Sequence, residues 1–122
     1  MDNSTTINLF QQADDFESFP AGQIVFKEGQ PGEVMYVVKE GEVDILVDDE
    51  LCETVGPGGI LGELALIDDK LRSATAIAKS DCKLVPIDEK RFKFLVQQTP
   101  FFSIQVMRIL ANRLRRMNTL VN

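Results

Sequence analysis

All eight glycines of this chain fall between positions 22 and 62 (Gly22, Gly29, Gly32, Gly41, Gly56, Gly58, Gly59 and Gly62). Glycine and proline punctuate turns, so this middle third must be short extended segments joined by tight loops. Turn signals lie at Glu28–Gly32, Glu40–Gly41, Asp48–Glu50 and Gly56–Gly59. Between and after them, strand-like segments follow at Ile24–Lys27, Val34–Lys39, Glu42–Val47, Leu51–Val55, Ser73–Lys79 and Lys83–Ile87. Val43, Ile45 and Val47 alternate with Glu42, Asp44 and Asp48, the period of a strand with one buried and one wet face. Many short strands at this spacing predict a β-sandwich or jelly roll.

The two ends have a different texture. Ser4 to Glu17 reads as a short N-terminal helix, capped by Ser4 or Thr5, with Ile7, Leu9, Phe10, Ala13 and Phe16 on its apolar side. Asp88 can cap a helix running through Gln98, and Pro100 opens a last helix to about Leu120. The expected architecture is therefore mainly β with flanking helices (α+β). With 122 residues, 44% of them apolar, the chain makes one domain. It contains no low-complexity tract, flexible linker or repeat of solenoid period. Its apolar runs are too short to span a membrane, and no signal-peptide apolar stretch stands at the start, which predicts a cytoplasmic protein. Cys52 and Cys82 lie thirty positions apart in apolar surroundings and read as two reduced core thiols.

Charge and one missing residue type narrow the function. Nineteen acids against thirteen bases give −6, which argues against a nucleic-acid surface. The charge is segregated: residues 1–89 hold every acid and six bases, whereas residues 90–122 hold seven bases and no acid. There is no histidine. That removes Ser–His–Asp and Cys–His catalysis, the usual zinc and non-haem iron sites, and the metal site of a cupin-type jelly-roll enzyme. No metal or cofactor is expected, and the chain reads as a binding protein rather than an enzyme.

The segment from Ile60 to Lys79 carries the most chemistry. Gly62 allows close backbone approach, and Glu63-Leu64-Ala65-Leu66 can form one helical turn with free N–H groups. Arg72 follows nine residues after Glu63, at the expected start of a strand, with Ser73 and Ala74 behind it. A carboxylate acceptor, a guanidinium and turn amides can converge on a small ligand that is both an anion and a diol. The plainer alternative is a loop salt bridge between Glu63 and Arg72. Burying such a pair among small apolar neighbours without a purpose is costly.

This pattern, Gly-Glu-x-Ala-Leu, a short spacer and Arg-Ser-Ala-Thr, resembles the phosphate-binding cassette of cyclic nucleotide-binding domains. That family includes bacterial catabolite activator proteins, protein kinase A regulatory subunits and cyclic-nucleotide-gated channels. Phe19-Pro20-Ala21-Gly22, Phe26-Lys27-Glu28-Gly29, Met35-Tyr36-Val37-Val38 and Gly41-Glu42-Val43 resemble the family's early strands and turns. The resemblance spans about residues 16–120 and implies an eight-stranded jelly-roll β-roll over residues 18–87. The cassette would occupy 61–75, with helix B at 88–98 and helix C at 100–120. It further implies that Glu63 binds the ribose 2′-hydroxyl and Arg72 the cyclic phosphate. Gly62, Ala65 and Ser73 would offer amides or a hydroxyl beside Ala74, and Leu64 would pack inward. Ile45, Val55 and Leu61 are candidates for an apolar wall, or else ordinary core. Leu71 departs from the proline common before the arginine.

In the last helix Phe102, Val106, Ile109, Leu110, Leu114, Met117, Leu120 and Val121 share one arc at 100° per residue. Arg113 falls inside that arc, while Arg108, Arg115 and Arg116 lie on the wet side. Arg113 either snorkels to the edge or, with Met117 and Asn118, faces the base or a pocket carboxylate. The stripe Met107, Leu110, Leu114, Met117, Val121 suits packing on the β-roll or on a second copy. The expectation is a stand-alone sensor of cAMP, in preference to cGMP, that signals through its last helix. It would be a monomer or weak homodimer, acting on an effector protein because no output domain follows, unless the module is an excised piece. The alternative is a non-binding domain that serves as an interaction scaffold.

Overall fold

The computed structural model of the protein describes residue 10 and residues 13–68 and 71–121, with 117–121 described through their backbone alone. Eight strands occur among these residues: β1 Glu17–Phe19, β2 Ile24–Phe26, β3 Val34–Glu40, β4 Val43–Val47, β5 Glu50–Val55, β6 Ile60–Leu61, β7 Thr75–Ala78 and β8 Cys82–Asp88. All their pairings are antiparallel, in two four-stranded sheets of order β1-β8-β3-β6 and β2-β7-β4-β5. One turn of helix, α1 (Leu64–Ile67), follows β6, and α2 (Glu89–Gln98) and α3 (Pro100–Val121) follow the roll. This is the expected jelly roll, with α2 and α3 in the places of helices B and C.

The apolar run of β3 explains the layering. A strand with no polar alternation is buried on both faces. Tyr36 and Val38 point between the two sheets and pack with Phe19, Phe26, Val43, Leu61, Ala76 and Leu84. Met35 and Val37 point the other way, to Ile60, Val85, Ile87 and the helical residues Leu95, Phe102 and Val106. Phe102 anchors α3, its ring edge-on to Phe92 at 5.9 Å and to Phe10 at 6.2 Å. The Asp88 side chain caps α2 by accepting from the Arg91 amide at 2.8 Å.

Several boundaries move. The expected N-terminal helix over 4–17 falls mostly outside the described residues, but residues 13–16 are irregular and Glu17 opens a strand. β1 exists because Glu17, Ser18 and Phe19 pair with Leu84, Lys83 and Cys82, a partnership no local pattern announces. In the β4–β5 hairpin, Asp48 and Asp49 both take positive φ (51° and 66°), so the loop has two residues and β5 starts at Glu50. Cys52 is exposed rather than in the core, because β5 is an edge strand whose first half is wet on both faces; Cys82 is buried. Burial holds the Cys82 thiol above its ordinary pKa, assisted by Asp81. No helix among the described residues is long and apolar enough to cross a membrane.

Candidate functional site

Arg72 is placed by its backbone. Its N–H donates to Gln30 O and its carbonyl accepts from Gly29 N–H, both at 2.8 Å, while Leu71 bridges Pro31. The arginine is thereby clamped onto the Gly29–Gly32 turn. It precedes β7 by three residues instead of opening it, as does Ser73 by two. The side chain is only 7% exposed. Its guanidinium lies 4.1 Å over the Phe26 ring, which in turn stacks on Tyr36 at 6.4 Å.

Two glycines make room for this group. A β-carbon on Gly32 would collide with Arg72 Nε, and one on Gly62 would lie 2.6 Å from Nη1. Gly62 also takes φ +78°, which side chains rarely adopt. Nη1 donates to Gly62 O at 3.3 Å, whereas Nε is buried with no hydrogen-bond partner. Among the described residues no carboxylate pairs with Arg72. Burial accordingly holds it below the ordinary arginine pKa. A buried cation with an unused donor has the charge and the free hydrogen-bonding capacity to take an anion.

Glu63 follows Gly62 directly and is 4% exposed. Its partner is not Arg72. The described residues pair Glu63 Oε1 with Arg113 Nη1 of α3, so the loop salt bridge is set aside. Arg113 is the most heavily engaged side chain of the site. Its Nε donates to Glu53 Oε1 at 2.9 Å, and its Nη2 donates to Ile60 O at 2.7 Å and to Glu53 Oε2 at 3.4 Å. Burial opposes its charge, but Glu63 and Glu53 outweigh burial and leave its pKa raised. Arg113 therefore faces pocket carboxylates and does not snorkel. Arg116, placed by its helical angle on the wet side, still reaches Glu53 Oε1 at 3.5 Å. The result is a chain of contacts from Arg72 through the Gly62–Glu63 junction to Arg113 and Glu53.

The other candidates divide. Val55 and Leu61 are buried in the inter-sheet core and Ile45 packs against it, so all three serve as core. Ala65 and Ala74 are buried and Ser73 is exposed. The Ala65 amide turns back to Gly62 O at 3.3 Å. Leu64 does not pack inward: it is 38% exposed, because a single helical turn can bury only one side and Ala65 takes it. Leu114 (60% exposed) leaves the buried arc of α3, which narrows to Phe102, Val106, Ile109, Leu110 and Arg113, and Met107 of the second stripe is exposed as well. The side chains of Met117 and Asn118 lie outside the described residues, as do those of Leu120 and Val121. Sequence reasoning missed Glu53, Phe26 as the seat of Arg72, and Gly32. A signal for Glu53 existed: it sits two residues before Val55 on the same strand face.

Comparison with known proteins bears on the family and the fold. The family described as "Cyclic nucleotide-binding domain" matches residues 16–99. A cAMP-dependent protein kinase regulatory subunit of Eremothecium gossypii is 38% identical over 80 residues, covering 66% of this chain and 18% of that protein. A CRP-like cAMP-activated global transcriptional regulator of Mycobacterium tuberculosis is 34% identical over 105 residues, covering 82% of this chain and 47% of that protein. The chain thus spans less than half the length of these curated relatives. Among solved structures, the Thermus thermophilus catabolite activator protein superposes with TM-score 0.77 at 26% identity, covering 96% of this chain and 57% of that one. The cAMP-bound structure "PfPKA-R (141-441)" gives TM-score 0.77 at 28% identity over 97% of this chain and 45% of that one. With the family model matched over residues 16–99 and the roll shared with these structures, this chain belongs to the cyclic nucleotide-binding domain family.

Proposed function

We propose that this domain is a sensor that binds cAMP in preference to cGMP and passes occupancy to a partner protein through α3, without catalysis of its own. The observation that carries the reading is Arg72. Its guanidinium is buried between two obligatory glycines, is flanked by no carboxylate of the described residues, and keeps Nε unused. A cyclic phosphate supplies the missing charge, and the fork of the guanidinium suits two of its oxygens. Glu63, next along the chain, accepts from the ribose 2′-hydroxyl. Arg113 links the same carboxylate to α3, so a ligand on Glu63 acts on the contact that docks the helix. A soluble cytoplasmic setting, and a monomer or weak homodimer through α3, go with this reading.

Titration calorimetry with cAMP, cGMP and 5′-AMP tests it. The expected order is cAMP tightest, cGMP weaker and 5′-AMP weakest, since the open nucleotide presents a dianion of different shape. Absence of binding by either cyclic nucleotide at millimolar concentration would overturn the reading and favour a scaffold role.

A further inference from the structure

Resting on that reading, we infer that Glu53 is a positioning residue for ribose recognition: by holding Arg113 it keeps the guanidinium from taking both oxygens of Glu63. The geometry of the fork makes the argument. A free arginine beside a carboxylate prefers the bidentate arrangement, two parallel N–H···O bonds. Here Arg113 meets Glu63 end-on, with Nη1 on Oε1. The rest of its donors are directed elsewhere, Nε to Glu53 Oε1 and Nη2 to Ile60 O and Glu53 Oε2.

Packing alone does not impose this arrangement. A cavity of about 250 Å³, lined in part by Glu53, Val55, Ile60, Ile109 and Arg113, lies alongside the guanidinium. Arg113 therefore has room to turn, and its orientation is set by its hydrogen bonds, the two it donates to Glu53 together with the one from Nη2 to Ile60 O. The Glu53 carboxylate is itself well placed, with its side chain only 20% exposed and paired across β4–β5 opposite Ile45. Arg116 adds a second cation at 3.5 Å and offsets the negative charge that Glu53 and Glu63 bring together.

With Glu53 removed, Arg113 turns to grip Glu63 through two nitrogens. The carboxylate then has less capacity to accept from a ligand hydroxyl, and the domain loses its preference for ribose over deoxyribose. The phosphate side of the site, at Arg72, is untouched. The sign of the effect is specific: what falls is the ratio of affinities, not affinity in general.

The experiment measures Kd for cAMP and 2′-deoxy-cAMP in the parent, Glu53→Gln, Glu53→Ala, Arg113→Ala and the Glu53→Ala/Arg113→Ala double variant, with melting curves to confirm folding. The parent should prefer the ribose ligand about tenfold or more, the range for an unpaired buried acceptor. Glu53→Ala should cut that preference at least threefold. Glu53→Gln, which keeps the shape and loses the charge, should fall between. In the Arg113→Ala background the Glu53 substitution should change nothing, because its effect runs through Arg113. A preference kept in both Glu53 variants, even with both affinities lowered equally, overturns this inference and leaves the cAMP reading intact. A parent that binds neither ligand, or both equally, overturns the reading of Glu63 and this inference with it.

Discussion

Replacing Arg72 with alanine should separate folding from binding, because the arginine is poorly compensated until a ligand arrives. Burying a cation costs several kcal/mol even after relaxation. Against that stand the Phe26 face, about 1–2 kcal/mol when desolvated, and one long charge-assisted bond to Gly62 O, about 1.5 kcal/mol. These terms nearly cancel, so Arg72→Ala should change the stability of the ligand-free domain by no more than about 1 kcal/mol, or about 5 °C in Tm. Binding is different. Removing one member of a buried charge pair costs about 2–5 kcal/mol, or about 30- to several thousand-fold in Kd. Thermal shift reads both effects in one assay. A ligand at about 100 times the parent Kd stabilises the parent by about 2.7 kcal/mol, and Arg72→Ala should show at most about a third of that shift while its ligand-free form melts close to the unliganded parent. Arg72→Lys should recover part, since a point charge lacks the fork. Affinity within threefold of the parent in Arg72→Ala would refute the reasoning, as would a ligand-free variant that has lost most of its stability.

Two further outcomes are expected. Burial and the neighbouring Glu17 push the Tyr36 pKa up to about 12 from its ordinary 10. The folded state therefore keeps a proton that the unfolded chain releases, and stability should fall between pH 10 and 12 by up to about 2–3 kcal/mol; Tyr36→Phe should flatten that part of a denaturation profile, and an unchanged slope would remove the argument. On the proposed switch, backbone hydrogen exchange across residues 105–120 should slow at saturating cAMP. Identical protection with and without ligand would mean that the domain binds without moving α3.

What the sequence made legible was whatever local pattern determines. β2, β3, β4, β5, β7 and β8 were marked by alternation or apolar runs between turn residues, and α2 by its Asp88 cap and the Pro100 that follows. β6 has two residues and is defined by Tyr36 and Val37 across the sheet, which no periodicity contains. The resemblance turns Leu64 inward and the helical angle puts Leu114 on the buried arc, but a one-turn helix buries one side only and Leu114 of α3 is left 60% exposed. The resemblance placed Glu63 and Arg72, and the structure brings them to one site without pairing them. For Glu53 the sequence offered only its place on the strand face of Val55; its partner lies sixty residues on, and only the return of α3 over β5 makes them neighbours.

That return is also where the charge segregation acquires meaning. The acidic roll and the basic tail would attract one another loosely at long range, but screening over about 8–10 Å leaves little of a diffuse attraction. The contact that counts is local: Arg113 against Glu53, Glu63 and Ile60 O, with Arg116 at the rim. A ligand shifts a helix only by as much as its free energy differs between the docked and released positions. Carrying such an equilibrium from 1:99 to 99:1 takes about 5.5 kcal/mol, more than the upper end of the roughly 3–5 kcal/mol at stake when a single buried ion pair is broken. On the proposed reading, then, Glu63 and Arg113 alone cannot throw the switch completely. On that reading the rest has to come from contacts that only the docked helix makes with the nucleotide.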